Sequence, residues 1–185
     1  MSYKFTPLKL TGLLLIEGQV YHDDRGYFLE SFREKDMREA GIPPLVQDNI
    51  SRSSRGTLRG MHYQKNPAAI GKLVRCVRGR IFDVAVDIRK GSPTYGQWAG
   101  VELGEEGNSA LWVPAGFAHG FYALSEIVDV IYKVTGYYSP ENDRGIIWND
   151  PTVGIRWPSG DVRLSPKDAK NPPLAQADNN FVWPS

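Results

Sequence analysis

The stretch GTLRGMHYQ, residues 56–64, holds His62, one of only three histidines in the chain, with Arg55, Arg59 and Lys65 close by in sequence. Neighbouring cations disfavour the imidazolium, and a neutral imidazole among them is a proton acceptor with an anion site beside it. The cationic bias extends well beyond the histidine. Between Asp48 and Asp83 there is no acidic residue, while Arg52, Arg55, Arg59, Lys65, Lys72, Arg75, Arg78 and Arg80 all fall there, leaving the rest of the chain net acidic. Such a segment is either an anion site or a set of solvated strand faces balanced by acids elsewhere. A phosphorylated small molecule fits the first reading, and no nucleic-acid recognition motif accompanies the cations.

Other chemistries find less support. A metal site on a β scaffold needs two or three histidines and a carboxylate converging. Here Met61 and Tyr63 flank His62, His119 stands alone in GFAHGF, and His22 is the only third histidine, so no metal is expected. Around Gly71-Lys72, Asn66 and Leu73 break the phosphate-loop pattern, and no G-x-S-x-G elbow occurs. Cys76 alternates within LVRCVRG and reads as a packed residue. Acid–base chemistry remains. His62 is a general base if a carboxylate orients it, or else a structural histidine bonded to backbone. Tyr132 lies on the apolar face of a strand, as a core tyrosine or one reaching a ligand cavity. In LSPKD, Ser165, Pro166 and Asp168 have the spacing of a capping box, which makes Asp168 a capping carboxylate.

The elements that would carry these residues are mostly strands. Phe82, Val84, Val86 and Ile88 alternate with Asp83, Ala85, Asp87 and Arg89, and Val128, Val130, Tyr132 and Val134 alternate with Asp129, Ile131 and Lys133. Gly- and Pro-bearing turns separate such runs, and one short helix is expected over Arg33–Ala40, closed by Gly41. The pattern predicts an all-β jelly-roll sandwich or barrel with a few short helices. With 185 residues, 41% of them hydrophobic, and no linker or repeat, residues 1–185 read as a single domain. Strict alternation puts Arg59 and His62 on opposite faces; a bulge at Gly60 would bring both inward. The last stretch, NPPLAQADNNFVWPS, is expected to lie over the surface. A net charge of +1 implies no polyanionic partner. The single cysteine suits a reducing compartment, MSYKFTPLKL lacks an apolar core, and no apolar run is long enough to span a membrane. A cytoplasmic protein without membrane contact is therefore expected.

Longer motifs carry a resemblance. DDRGYFLESF, VQDNISRSSRGTLRGMHYQ, GKLVRCVRGRIFDVAVDIRKGSPTYGQW, VPAGFAHGFYALS, YKVTGYYSPENDRGIIWNDP and LSPKD, in this order, make the sequence similar to the dTDP-4-dehydrorhamnose 3,5-epimerases of deoxysugar synthesis. The resemblance implies a cupin-type jelly roll, cofactor-free and homodimeric, that inverts C3 and C5 of a 4-keto-6-deoxyhexose attached to dTDP. It implies His62 as the base, Asp168 as its orienting carboxylate, Lys72 as the cation at the enolate oxygen and Tyr132 as the acid on the opposite face. It further implies Arg25, Glu30, Gln47, Asp48, Asn49, Arg59, His119, Asp143 and Lys167 as substrate contacts, with Tyr137 or Tyr138 stacking on the base. Asp143 stands where many relatives use glutamate. A sister enzyme inverting only C3 or only C5, a metal-dependent cupin oxygenase and a sugar-nucleotide binding module without turnover remain as alternatives.

Overall fold

Short alternating runs bounded by Gly and Pro fold as strands almost throughout, and the computed structural model describes residues 3–183. In chain order these are β1 (Lys4–Pro7), β2 (Leu14–Glu17), β3 (Val20–Asp23), β4 (Gly26–Leu29), helix α1 (Glu34–Glu39), β5 (Gln47–Ser54), β6 (Leu58–Gln64), β7 (Lys72–Arg78), β8 (Arg80–Asp87), β9 (Trp98–Gly104), β10 (Ser109–Val113), β11 (Phe117–Ala123), β12 (Ile127–Val134) and β13 (Asp143–Gly145). One sheet runs β1-β2-β10-β7-β12-β5 and the other β13-β6-β11-β8-β9, while β3 and β4 form a separate hairpin. Neither sheet closes on itself, and the sheets pack face to face as a cupin-like jelly roll. Val74, Leu111, Val128 and Val130 from the first sheet meet Ile81, Ala85, Leu103 and Phe121 from the second in one core.

The two alternating strands read from sequence have opposite senses. The apolar face of β12, with Val128 and Val130, points into the sandwich. On β8 it is Ile81 and Ala85, sharing their face with Asp83, that point inward. Val84, Val86 and Ile88 point outward and are covered by the C-terminal segment through Val153, Leu174 and Phe181. That segment thus lies over a sheet, as expected, but with buried anchors, and a parallel bridge joins Val182 to Lys90. Pro184 and Ser185 lie outside the described residues.

The helix is shorter than its expected span. It ends at Glu39, and Gly41 follows with φ +82°, a left-handed conformation suited to glycine. Around LSPKD the capping reading is half right. The Ser165 hydroxyl accepts the Asp168 N–H at 3.0 Å, but the turn is a three-residue 3-10 helix (Asp168–Lys170) and the Asp168 carboxylate points elsewhere.

The bulge at Gly60 exists. Opposite β11, His62 pairs with His119 and Arg59 with Phe121, so β6 carries one residue more than β11 over this stretch. Gly60 has φ +137°, and a Cβ there would stand 2.6 Å from the Gly120 Cα. Only a glycine pair fits this crossing, and the extra residue turns both Arg59 and His62 to the interior face.

Candidate active site

A cleft of about 500 Å³ opens between the two sheets, a size suited to a small-molecule ligand. Its walls carry unlike chemistry. The five-stranded sheet contributes Arg59 and His62 from β6 and His119 from β11. The six-stranded sheet contributes Ser51 from β5, Lys72 from β7 and Tyr132 from β12, and the C-terminal segment closes the rim with Arg163, Lys167 and Asp168.

His62 Nε2 lies 2.6 Å from Asp168 Oδ1, and the Gly60 N–H approaches the other carboxylate oxygen at 3.4 Å. Burial pushes the Asp168 carboxyl up, but its bonds to His62, Gly60 and Ser165 outweigh this and hold it below the usual range. An ionised carboxylate only accepts, so Nε2 donates and Nδ1 is the lone-pair nitrogen of a neutral His62. No other bond to the ring occurs among the described residues, and the side chain is 30% exposed, so Nδ1 is available to a ligand.

Lys72 Nζ donates to the His62 carbonyl at 3.4 Å, bridging the sheets. Burial pushes its ammonium down to about 8, against upward pulls from Asp143 and Asp83. The Tyr132 phenol is raised by burial, opposed by Arg59. Arg59 Nε donates to the Ser53 hydroxyl at 2.9 Å and Nη2 to the Arg52 carbonyl. His119 Nε2 is bonded to Asp83 Oδ1 at 2.8 Å, and both side chains are buried.

Of the predicted residues, His62, Arg59, Lys72, His119, Tyr132, Lys167 and Asp168 converge on the cleft. Gln47 and Asn49 are half-buried on the inner face of β5, bonded to each other at 2.9 Å, and Asn49 stands opposite Tyr132. The Asp48 side chain instead points outward and pairs with Lys133 at 2.7 Å, because alternation puts it on the other face from Gln47 and Asn49. Asp143 sits at the rim, where it accepts from Lys167 and, at 3.0 Å, from the Tyr138 hydroxyl. Arg25 and Glu30 do not line the cleft. Arg25 is exposed at the β3–β4 turn beside Asp23, and Glu30 pairs with Arg33 at 2.8 Å. The basic segment also divides: Arg52, Arg55, Lys65 and Arg80 pair with Asp129, Glu126, Asp178 and Glu102 on outer faces, while Arg59 and Lys72 alone of the eight line the cleft.

Sequence reasoning missed Ser51, Asp83 and Arg163. The available signal for Asp83 was a carboxylate on the β8 face it shares with Ile81, Ala85 and Asp87. Among the described residues no group of three or more His, Cys, Asp or Glu side chains is arranged to hold a metal, and no helix is long and apolar enough to cross a membrane.

The family model for dTDP-4-dehydrorhamnose 3,5-epimerase matches residues 7–176. The chain belongs to the dTDP-4-dehydrorhamnose 3,5-epimerase family. It is 50% identical over 178 residues to the Pseudomonas aeruginosa enzyme of that name, covering 95% of this chain and 98% of that one. Among solved structures, the dTDP-6-deoxy-D-glucose-3,5-epimerase of Legionella pneumophila, crystallised in complex with dTDP-4-keto-L-rhamnose, superposes with a TM-score of 0.92 at 49% identity, covering 95% of this chain and 94% of that one. A dTDP-4-dehydrorhamnose 3-epimerase from Streptomyces niveus is 38% identical, covering 98% of this chain and 89% of that one. The epimerase family thus includes enzymes named for both one and two inversions.

Proposed function

We propose that His62 and Tyr132 are the base and acid of this isomerase, acting on a dTDP-linked 4-keto-6-deoxyhexose held in the cleft. The enzyme is a dTDP-4-dehydrorhamnose 3,5-epimerase of rhamnose synthesis. The observation that carries the assignment is that His62 and Tyr132 stand on facing sheets, with Lys72 bridging between them.

Protons on C3 and C5 are acidic only because both carbons neighbour the C4 ketone. His62 Nδ1 takes the proton, and the C–H electron pair passes into the C4 carbonyl to give an enolate. The Lys72 ammonium, poised by burial, stabilises the enolate oxygen. Asp168 stabilises the imidazolium that forms. Tyr132 then donates its phenolic proton to the carbon from the opposite face, and the carbonyl reforms with inverted configuration. Arg59 and Lys167 supply cations for the diphosphate, with His119 toward the sugar and Tyr138 at the rim for stacking on the base. His62→Asn tests the assignment: turnover is lost while dTDP affinity changes little, and near wild-type turnover would remove His62 from this role.

A single inversion is the second reading, favoured by the Streptomyces niveus relative. Both readings share base, acid and cation, and deuterium placement separates them.

The enzyme acts as a homodimer in this reading. The β3–β4 hairpin exposes Tyr27 and Phe28, and β5, the edge of its sheet, exposes Ile50. Pairing through these surfaces would carry Arg25 and Glu30 to a second copy's cleft, consistent with their distance from their own. Mixing inactive Arg25→Ala and His62→Asn proteins should then restore activity through hybrid dimers, whereas a fully active monomer in sedimentation would exclude a shared site.

A further inference from the structure

We infer that Asp83 is a positioning residue of the cleft, holding His119 through Nε2 so that Nδ1 is presented to the substrate beside His62. The inference rests on the proposed role of the cleft.

Besides Asp168, three aspartates lie buried in or beside the second sheet, and two have evident structural work. Asp87 accepts from Arg89, Ser92 and Thr94. Asp150 accepts from the Thr152 hydroxyl and from the backbone N–H groups of Thr152 and Leu174. Asp83 is fully buried on β8 among core residues, yet Oδ1 has only His119, and Oδ2 is buried with no partner. A structural aspartate in a fold normally has its oxygens satisfied, because an unpaired buried carboxylate oxygen is costly. Asp83 is placed where it costs stability and touches one functional side chain.

The geometry on the other side of that bond is well defined. His119 stands directly opposite His62 in the β6–β11 register, so both rings project from the same sheet face into the cleft. The ring makes no bond besides Asp83 among the described residues, leaving Nδ1 for a ligand. The backbone beneath is fixed by the Gly60–Gly120 crossing, so ring orientation is the remaining freedom, and Asp83 removes it.

The test is Asp83→Asn in the full chain, assayed for kcat and KM, melting temperature and the side-chain 15N signals of the three histidines. A neutral isostere for a lone buried carboxylate should leave the melting temperature unchanged or raise it. Activity, kcat/KM, should fall roughly 10- to 100-fold, by analogy with carboxylates that orient metal-ligating histidines. The His119 signals should shift while those of His62 do not. In a His119→Gln background, Asp83→Asn should add little, because Asp83 acts through that ring. Asp83→Glu, retaining the acceptor, should recover more activity than Asp83→Leu. A loss that merely tracks lost folded protein, or losses that add fully in the double variant, would overturn the inference. Because His62→Asn reports separately on the cleft's role, an inactive His62→Asn beside a fully active Asp83→Asn would reject only the role given to Asp83.

Discussion

His62 and His119 face each other across β6 and β11, each tied through Nε2 to an aspartate, but the two pairs are built differently. The partner of His62 comes from the C-terminal segment after some hundred intervening residues, accepts also from the Gly60 backbone N–H and from the Ser165 side chain, and leaves the imidazole 30% exposed. The partner of His119 comes from the next strand of the same sheet, is sealed in the core, and leaves that side chain 8% exposed. A well-satisfied carboxylate beside an accessible ring suits a group that must gain and lose a proton. A sealed pair suits a fixed donor or acceptor for a ligand. In the proposed roles, the same residue types divide between proton transfer and positioning according to where the carboxylate originates and how exposed the ring is.

The largest expected effect breaks the open pair. His62→Asn should lower kcat by about 10²–10⁴-fold or more in steady-state assays, the range for a lost general base. His119→Gln should cost less and show more in KM. Equal losses in kcat from the two variants would erase the distinction. Next comes Tyr132→Phe on the opposite wall. His62 should still exchange substrate protons with solvent in this variant, while net inversion slows, because the proton returns from the face it left; exchange and inversion lost together would deny the two-face arrangement.

The pH dependence comes third. Lys72 has its folded pKa depressed to about 8, so its ammonium is lost as pH rises through that value, and kcat should fall on the alkaline side. The sign for stability is the reverse. Between about 8 and the ordinary 10.5 the unfolded chain binds more protons, so this group's contribution to stability rises with pH. Lys72→Met should remove most activity and the stability trend together. The smallest effect concerns metal: treatment with a chelator should leave turnover unchanged, and loss restored by one divalent ion would demand a different chemistry for both histidines.

Much of the site was legible because its signals are local. His62 among cations and the strand faces of β12 follow from spacing and from residue types with narrow uses, whereas spacing alone put Arg59 and His62 on opposite faces and only the register of β6 against β11 supplies the Gly60 bulge. What was hidden is the result of topology. Alternation on β8 is clear, but only the C-terminal segment packing on Val84 and Val86 makes its apolar face the outer one and its aspartate face the inner one. The same segment turns Asp168 from a cap into a partner for His62, a contact no spacing within LSPKD reveals. Six of the eight cations lie outside the cleft, and the acids that pair with four of them, Asp129, Glu126, Asp178 and Glu102, come from other parts of the chain that local spacing does not bring together.

The central claim is that one base and one acid on facing walls serve both carbons next to a single ketone. Enolisation of the C4 ketone activates C3 and C5 alike, and the sequence offers His62 and Tyr132 without a second such pair across the cleft. NMR of the product formed from dTDP-4-keto-6-deoxyglucose by the wild-type enzyme in deuterated water tests this most directly. The account predicts one deuteron at C3 and one at C5; deuterium at only one of these carbons, even after long incubation, would contradict it and leave a single-carbon epimerase.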